Sequence, residues 1–521
     1  MDRPANRRYQ DVMDNVRDKN NGCFQHFLSE SLVTLYIMQS ETPSGRTLTL
    51  ILLSASLATF MSALDGTIVN IALPTISASF DLTTSSVAWV STIYLLVMAG
   101  CLLIIGKVSD VVGFKKIFLI GFILFTIGSF TCGFLPDFTG QFSTLLASRV
   151  LQALGGAMMT VIAPAMLSYY LPGDRRAKGM SLVVLFAAVG MALGPTLGGY
   201  LTEYLSWHWI FFINVPIGIF AVLLGYAAIP KSAAATTSLK GFDSIGAVLV
   251  FIGLAALLFA FSEGVSLGWT SAPVLISIVL AVLGLGGFLW RELHYTDPLL
   301  DLSLFKSRSF IVLNVVFALL FFTFAGANYL LPFYLEHVHD YSVSFSGLII
   351  TAMSVGMMIT GILAGLIYAK LKGKIRYLVM TGVALIAAGF FLLTHLTPVT
   401  GLGVIISALA LIGLGLGLTT TPLTTLIMNA APASKQGMVS SLTGLERFAP
   451  MTIGVAVYNI IFMHGIMTAV RNSGITEKPP GDIAAAILSH GFDLAFVVSV
   501  ILAVVLFLLC IFIREDPAAG E

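Results

Sequence analysis

Long apolar runs alternate with short polar segments along nearly the whole chain. A helix that crosses a bilayer needs about 20 mostly apolar residues, and fourteen runs are long enough. Strands of a membrane β-barrel would be shorter and would alternate in polarity, which these runs do not. The pattern therefore predicts an all-α membrane protein with fourteen transmembrane helices. The runs cover residues 47–75, 86–106, 115–135, 141–170, 177–203, 207–229, 243–263, 270–290, 309–335, 344–369, 375–396, 399–429, 436–467 and 488–513.

The runs fall into two groups of six, with two further runs between the groups. No short apolar stretch with a cleavage site opens the chain, so no signal peptide is expected. Met38 stands just before the first run and is an alternative start of the protein. The predicted organisation is a polar cytoplasmic tail (1–45), a six-helix bundle (46–230), a linker with two extra transmembrane helices (231–308), a second six-helix bundle (309–515) and a C-terminal tail (516–521).

The composition supports a membrane protein and excludes several other classes. The chain is 57% hydrophobic and only 10% charged, with a mean hydropathy of +0.96. Soluble domains carry about 25% charged residues, so a soluble enzyme and a disordered chain are both excluded. A formal net charge of +1 gives no indication of nucleic-acid binding. The four cysteines show neither a disulfide framework nor metal-ligand spacing.

The basic residues predict how the helices are oriented. With both termini in the cytoplasm, 23 of the 27 Lys and Arg residues lie in the tails and the cytoplasmic loops. Only Arg471 and Lys478 then lie outside, and Arg149 and Arg447 lie within spans. Because cytoplasmic segments carry the excess of basic residues, we expect both termini on the cytoplasmic side.

The chain contains an internal repeat with an offset of 258 residues. This offset spans eight helices, an even number, so the two copies have the same orientation. Parallel repeats of this kind are typical of transporters whose halves rock about a site near the membrane midplane. The matching pairs are Asn70 and Asn328, Pro74 and Pro332, Gly155 and Gly413, Pro164 and Pro422, Gly179 and Gly437, and Met180 and Met438.

Four ionisable residues, Asp65, Arg149, Glu446 and Arg447, lie deep within apolar runs. Inserting a charge there costs about 2.5–3.5 kcal/mol, so such residues are candidates for function. Burial disfavours the charged form of a carboxyl group, which allows Asp65 to gain and lose a proton during a transport cycle. We predict that Asp65, Arg149 and Glu446 carry proton coupling. The alternative is a structural role, in which each is a hydrogen-bonded polar residue or a strut between helices.

Polar residues from both copies of the repeat are expected to line a substrate cavity. The surrounding runs are rich in Phe, Met and Leu, whose side chains adapt to varied apolar shapes or simply face lipid. The small number of acids favours monovalent cations, zwitterions or neutral compounds over divalent cations. The predicted cavity residues are Asp65, Asn70, Gln152, Asn328, Glu446 and Arg447.

The fifth run has a dense group of glycines around one proline. Gly190, Gly194 and Gly198 are spaced by four, so they share one helix face and let a neighbouring helix approach closely. Pro195 removes one backbone hydrogen bond and permits a bend. Together with Gly199, these residues predict a close-packed helix with a hinge at Pro195.

Five segments look like motifs of one known family. They are residues 64–74 (LDGTIVNIALP), 106–116 (GKVSDVVGFKK), 146–152 (LASRVLQ), 190–199 (GMALGPTLGG) and 207–218 (WHWIFFINVPIG). These segments resemble the major facilitator superfamily, in its fourteen-helix drug/proton antiporter branch. Gly106, Asp110 and Gly113 fit the loop signature of that superfamily. Val111 and Phe114 stand where the family usually has basic residues.

The resemblance implies a major facilitator fold of six, two inserted and six helices. It also implies export of drugs or toxic lipophilic compounds from the cell across the plasma membrane, in exchange for protons. The acid that matches Asp65 would take part in proton coupling, with help from the arginine that matches Arg149. Asp110 would form a cytoplasmic latch. The expected partners are a small-molecule substrate, protons and the lipid bilayer, and we expect a monomer without a cofactor or a bound metal.

Other functions remain open at this point. One is an exporter of a single metabolite, such as an amino acid or a siderophore, and another is a uniporter or sensor without proton coupling. An intramembrane enzyme is disfavoured because neither HExxH nor GxSxG occurs. The polar stretch Glu336 to Asp340 could bind a metal, although a solvated loop is the simpler interpretation.

Overall fold

The computed structural model is helical throughout the residues that it describes. These are residues 45–171, 173–230, 243–264, 267–295, 299–300, 302–368, 371, 374–395, 397, 400–430, 436–473 and 481–513. By contacts, residues 50–521 form one compact unit and residues 1–49 form another, of which only the first five residues of α1 are described. The elements are α1 (Gly45–Ser79), α2 (Thr84–Val87), α3 (Trp89–Val112), α4 (Phe114–Thr139), α5 (Phe142–Tyr170), α6 (Gly173–Tyr204), α7 (Trp209–Phe212), α8 (Asn214–Ala228), α9 (Ser244–Glu263), α10 (Ala272–His294), a 3₁₀ helix (Leu302–Lys306), α11 (Arg308–His337), α12 (Val343–Tyr368), α13 (Ile375–Leu393), α14 (Leu402–Asn429), α15 (Gln436–Ser473) and α16 (Gly481–Cys510).

Fourteen segments among the described residues are long and apolar enough to cross a membrane, which confirms the predicted number. In lipid, a chain must satisfy its backbone hydrogen bonds internally, and an apolar run of this length does so as a helix. The short helices α2 and α7 begin the second and sixth spans. Proline lies beyond the first turn in seven of the long helices, including both members of the repeat pairs Pro74–Pro332 and Pro164–Pro422.

The glycine face of α6 packs against α1. A methyl group on Gly190 would lie 2.5 Å from the carbonyl oxygen of Phe60. On Gly194 it would overlap the side chain of Thr67, and on Gly198 it would lie 2.5 Å from Ile71. The spacing of four therefore serves close helix packing, as predicted, and it brings the backbone of α6 against the segment of α1 that carries Asp65.

The two groups of six helices meet at two places. Thr196 Oγ1 of α6 lies 2.7 Å from Thr351 Oγ1 of α12. Nearby, Glu203 Oε2 accepts a hydrogen bond of 2.8 Å from the backbone N–H of Ser344. We call these two contacts the seam; they lie where α6 ends and α12 begins. A methyl group on Gly347 would overlap the backbone carbonyl of Pro195, so the seam also depends on glycine.

At the second place, α3 packs along α15. Asn459 Nδ2 donates a hydrogen bond of 2.6 Å to Ser85 Oγ, just before α3 begins. Further along, a methyl group on Gly444 would lie 2.9 Å from Leu102, and one on Gly106 would lie 3.1 Å from Ser441. Contacts with α2 and α3 therefore run along α15 from Ser441 to Asn459.

The two extra spans, α9 and α10, pack on each other, and α9 also contacts both α3 and α15. The indole N–H of Trp89 donates a hydrogen bond of 2.8 Å to Glu263 Oε1, and a methyl group on Gly100 would overlap the ring of Phe251. At the opposite end of α9, Asp243 caps the helix by accepting from the Gly246 N–H at 2.8 Å.

Candidate transport site

Asp65 lies at the centre of a fully buried polar cluster. Its Oδ2 forms an ion pair of 2.9 Å with Nη1 of Arg149 on α5, and both side chains are almost completely buried. Its Oδ1 accepts hydrogen bonds from Gln152 Nε2 at 2.7 Å and from Asn214 Nδ2 at 3.3 Å. Three donors from α5 and α8 thus surround one carboxylate, which offsets much of the cost of removing the charge from water.

Arg149 is held by further contacts around its guanidinium group. Its Nε donates to the backbone carbonyl of Val90 at 3.1 Å, and its Nη1 also contacts Gln152 Oε1 at 2.6 Å. Its Cζ lies 4.1 Å from the centroid of the Tyr94 ring and 5.7 Å from that of Phe211. An arginine placed over aromatic rings gains a cation–π interaction in addition to its hydrogen bonds.

Small residues allow this cluster to form. A methyl group on Gly128 of α4 would lie 2.5 Å from the backbone nitrogen of Gln152. One on Gly156 of α5 would lie 2.8 Å from the hydroxyl oxygen of Tyr94. Gln152 also donates to Ser129 Oγ at 2.8 Å. The close approach of α4 and α5 therefore brings Ser129 within hydrogen-bond distance of Gln152, and Gly156 leaves room for the Tyr94 ring beside Arg149.

A cavity lies beside this cluster and is lined by both groups of helices. In this conformation the cavity is a narrow crevice, with a volume of about 20 Å³ for the centre of a water-sized molecule. Gly66, directly after Asp65, is exposed, and a methyl group added to it would meet no atom within 4 Å. The lining residues are Thr67, Asn70 and Ile71 of α1, Met191 and Pro195 of α6, Phe324, Asn328 and Pro332 of α11, and Ile350, Met353, Ser354 and Met357 of α12.

The structure places the predicted cavity residues in three locations. Asn70 and Asn328, which are mates in the repeat, both line the cavity. Asn70 also accepts a hydrogen bond of 3.0 Å from Ser91 Oγ. Asp65 and Gln152 belong to the buried cluster behind the cavity wall. The repeat mate of Asp65 is Thr323, whose hydroxyl donates to the Leu319 carbonyl of its own helix at 2.9 Å.

Glu446 and Arg447 lie apart from both, on α15. Glu446 Oε2 has no hydrogen-bond partner among the described residues, and neither has Arg447 Nε. The guanidinium carbon of Arg447 lies 5.2 Å from the centroid of the Phe321 ring. Pro450 has no N–H to donate to the Glu446 carbonyl four residues earlier. This turn of α15 therefore lacks one backbone hydrogen bond in addition to the partners of the two side-chain atoms.

Two of the residues predicted to serve conformational change, Gly113 and Gly199, stand where the backbone geometry is tight. Gly113 joins α3 to α4 with φ of 90°, which only glycine adopts without strain. Gly199 packs on α12, where a methyl group would lie 2.6 Å from the Val343 carbonyl oxygen. The side chain of Asp110 lies outside the described part of the structure, so its latch role stays a prediction.

The stretch Glu336 to Asp340 forms the end of α11 and the loop that follows. His339 Nε2 lies 2.8 Å from the Tyr334 hydroxyl group, and burial lowers the pKa of His339. No group of three His, Cys, Asp or Glu side chains that could hold a metal ion occurs among the described residues.

Comparisons with known proteins identify the family to which this fold belongs. Residues 55–455 match the model of the Major Facilitator Superfamily, and the chain belongs to this family of membrane transporters. It is 31% identical over 414 residues to the multidrug resistance protein Stp of Mycobacterium tuberculosis, an alignment that covers 79% of this chain and 75% of that protein. The resemblance found in the sequence motifs is therefore confirmed.

A second relative and one solved structure extend this comparison. The chain is 32% identical over 419 residues to the riboflavin transporter RibZ of Clostridioides difficile, covering 80% of this chain and 89% of that protein. It also superimposes on the crystal structure of an auto-inhibited peptide transporter of the POT family. That match has a TM-score of 0.65 and a sequence identity of 16%, and it covers 91% of this chain and 98% of the other. At that identity the likeness concerns the fold alone.

Three members of the buried cluster were not predicted as site residues: Asn214, Ser129 and Tyr94. Asn214 lies in the motif of residues 207–218, so its presence in a quoted motif was the available signal. Ser129 and Tyr94 carry no such signal, since Ser and Tyr are common in apolar spans. Their positions depend on how α3 and α4 pack against α5.

Proposed function

We propose that this protein exports drugs or toxic lipophilic compounds across the plasma membrane in exchange for protons, by alternating access. The observation that supports this most is the buried Asp65–Arg149 pair, two residues from Thr67 in the wall of a cavity lined by both groups of helices. An ion pair that is shielded from water yet next to an open cavity position is suited to a proton-driven switch. The protein then acts as a transporter and not as an enzyme.

The proposed proton step takes place on Asp65. When a proton neutralises the carboxylate, the ion pair to Arg149 is lost, and Arg149 keeps its bonds to the Val90 carbonyl and Gln152. A buried cation without its partner is costly, so protonation favours a different helix arrangement. Because Asp65 lies on α1 and Arg149 on α5, this local change acts directly on the packing of the first six helices.

The proposed conformational step opens the seam. In the arrangement described here, Thr196 contacts Thr351 and Glu203 contacts Ser344. With both termini in the cytoplasm, this end faces outside, so export requires these contacts to break and the bundles at residues 46–230 and 309–515 to separate there. The proton gradient supplies the energy for this change, about 2.3 kcal/mol per proton for each 100 mV of driving force, and protonation of Asp65 couples that energy to the helices.

The cavity favours neutral or weakly charged substrates. Its lining contains no acidic or basic side chain, and its polar groups are the amides of Asn70 and Asn328 with the hydroxyl groups of Thr67 and Ser354. Three methionines supply polarizable, adaptable surface. We propose that Glu446 and Arg447 join the substrate pathway in another conformation, since Glu446 Oε2 and Arg447 Nε are buried here without a hydrogen-bond partner among the described residues.

A second candidate is the export or uptake of one metabolite. The identity of 32% to a riboflavin transporter is as high as that to the multidrug resistance protein, and the paired asparagines could hydrogen-bond a polar heterocycle. This function would use the same fold and the same cluster at Asp65.

Both candidates are tested with purified protein in proteoliposomes under an imposed pH gradient. Lipophilic drugs and riboflavin are added separately, and lumenal pH is followed for wild type, Asp65→Asn and Asp243→Asn. Asp243 is the matched control, because it is also a buried aspartate paired with an arginine, Arg291, but lies in the inserted pair of helices. We expect several drugs to dissipate the gradient through wild type and Asp243→Asn, but not through Asp65→Asn.

Each other result has a definite meaning. Dissipation by riboflavin alone would support the single-metabolite transporter. Dissipation through Asp65→Asn at the wild-type rate would contradict coupling at Asp65 and would direct attention to Glu446. Drug movement without any change in lumenal pH would contradict antiport.

A further inference from the structure

Three phenylalanine rings form a ladder along the outer surface of α4. Phe130 and Phe134 stack with their centroids 5.4 Å apart, and Phe134 and Phe138 stack at 6.3 Å, with interplanar angles of 14° and 13°. All three rings are exposed on the surface of the bundle, and Phe138 is 78% exposed. Residues four apart on a helix lie on one face, so the ladder runs about 12 Å along the helix.

The ladder ends in a groove between α4 and α7. The groove opens to the surface and has a volume of about 490 Å³. At the bottom of the groove the Phe212 ring packs directly on Gly133, where a methyl group would lie 2.6 Å from the ring. The lining residues are Gly133, Phe134, Asp137, Phe138, Ser206, His208, Trp209 and Phe212.

The groove carries a negative charge among aromatic rings. The Asp137 carboxylate is 72% exposed, and its Oδ1 lies 2.9 Å from Nε2 of His208. Burial lowers the pKa of His208, although Asp137 opposes this, so the imidazole is mainly neutral at pH 7. No Lys or Arg occurs between Lys116 and Arg149, or between Lys178 and Lys231, so no basic residue of these segments neutralises the carboxylate.

A carboxylate ringed by aromatic faces is suited to an organic ammonium group. Ammonium groups bind over aromatic rings through cation–π interactions, and the carboxylate adds charge complementarity. Ser206 and Trp209 also line the groove, and their O–H and N–H groups can donate to an anion. The groove lies at the end of a membrane span, at the level where lipid headgroups lie.

We propose that this groove binds a phospholipid whose headgroup carries an ammonium group, with an acyl chain lying along the phenylalanine ladder. The ammonium group contacts Asp137 and the surrounding rings, and the phosphate faces Ser206 and Trp209. This site is separate from the Asp65 cluster and does not depend on the proposed transport function.

Native mass spectrometry of the full-length protein tests the proposal. The protein is mixed with equal amounts of phosphatidylethanolamine and phosphatidylglycerol of identical acyl chains at pH 7.5. We expect wild type to retain phosphatidylethanolamine over phosphatidylglycerol by about fivefold, the effect of one cation–π and charge contact. Asp137→Asn is expected to lose this preference, and Phe138→Leu to reduce it.

Asp81→Asn is the matched control, because Asp81 is an exposed acid at the same end of the bundle and outside the groove. Its φ of 52° is one that asparagine also tolerates. Asp81→Asn should keep the wild-type preference. Equal retention of both lipids by wild type, or an unchanged preference in Asp137→Asn, would overturn the proposal. Displacement of the lipid by low concentrations of an exported cationic drug would instead identify the groove as a substrate site and would overturn it too.

Discussion

Gln152 donates a hydrogen bond of 2.7 Å from Nε2 to Oδ1 of Asp65. The same side chain contacts Nη1 of Arg149 through its Oε1 at 2.6 Å, so one amide binds both members of the buried ion pair. A glutamine is able to do this because its amide offers donors and an acceptor at once. Gln152 therefore holds the geometry of the pair.

Replacing Gln152 with leucine is expected to disturb the pair without removing either charge. Asp65 Oδ1 would keep only the longer contact to Asn214, and the loss of a buried hydrogen-bond partner costs about 1–3 kcal/mol. We expect the thermal unfolding midpoint to fall and drug-driven proton flux in proteoliposomes to drop at least about tenfold. The exposed Gln141 at the start of α5 is the control, and Gln141→Leu should leave both unchanged. Wild-type flux in Gln152→Leu would show that the amide is dispensable.

Gly347→Ala is expected to prevent the seam from closing. The added methyl group would overlap the Pro195 carbonyl, which belongs to the backbone and cannot move aside easily. The balance of states should shift toward one in which Thr196 and Thr351 are separated. A pair of spin labels at the exposed residues Tyr200 of α6 and Leu348 of α12, measured by pulsed electron resonance, should report a longer distance, and transport should fall.

Gly286→Ala is the matched control for this substitution. Gly286 also lies within a helix, but a methyl group there would meet no atom within 4 Å. Alanine in place of an unhindered helical glycine stabilises by about 0.5–1 kcal/mol, so this variant should transport normally. An unchanged label distance in Gly347→Ala would contradict the steric argument.

The orientation of the chain is tested by labelling single cysteines in intact cells. Ser79 ends α1 and Ala430 follows α14, and both residues are exposed. With both termini in the cytoplasm, Ser79→Cys should react with a membrane-impermeant maleimide in intact cells. Ala430→Cys should react only after permeabilisation. Cys23→Ser is included as background, because Cys23 lies in the N-terminal tail. The reverse pattern would invert the orientation.

His208 is expected to make stability depend on pH. Its pKa in the folded protein is lowered from 6.5, mainly by burial. The unfolded chain therefore binds the proton first as pH falls, and stability is lost below about pH 6.5 down to the folded pKa. The unfolding midpoint of wild type should decrease between pH 7 and pH 5 more than that of His208→Gln.

Two further variants separate this effect from general acid sensitivity. Asp137→Asn removes the group that favours the protonated form of His208, so its loss of stability on acidification should exceed that of wild type. His464 is exposed on α15, and His464→Gln should follow the wild-type curve. Equal pH dependence in all four proteins would exclude His208 as the source.

The spans and their internal packing could be predicted from sequence to a large extent. A run of 20 apolar residues has one stable form in lipid, so the fourteen helices follow directly. The spacing of Gly190, Gly194 and Gly198 indicated one close-packed face, and the structure identifies α1 as its neighbour. The sequence pattern does not contain the identity of that neighbour, because any helix could fill the face.

The candidate site was predictable only where a charge marks it. Asp65 and Arg149 are conspicuous because ionisable residues in lipid are costly. Their 2.9 Å contact, however, joins residues 84 positions apart on different helices, and the sequence pattern does not contain that pairing. Gln152 was expected in the cavity and lies in the cluster instead, since its side chain turns toward Ser129 and Asp65. Neutral polar residues such as Asn214 are assigned only by the packing around them.

Thr323 stands in the second copy of the repeat where Asp65 stands in the first, and its hydroxyl group donates to the Leu319 carbonyl of its own helix. A duplicated gene starts with two equivalent halves, so under the proposed mechanism this difference divides the labour between them. If the first half alone draws on the proton gradient, the second is free to specialise in choosing cargo. Protein engineers could then exchange Phe324, Asn328 or Met353 to redirect selectivity while leaving the motor of the transporter untouched.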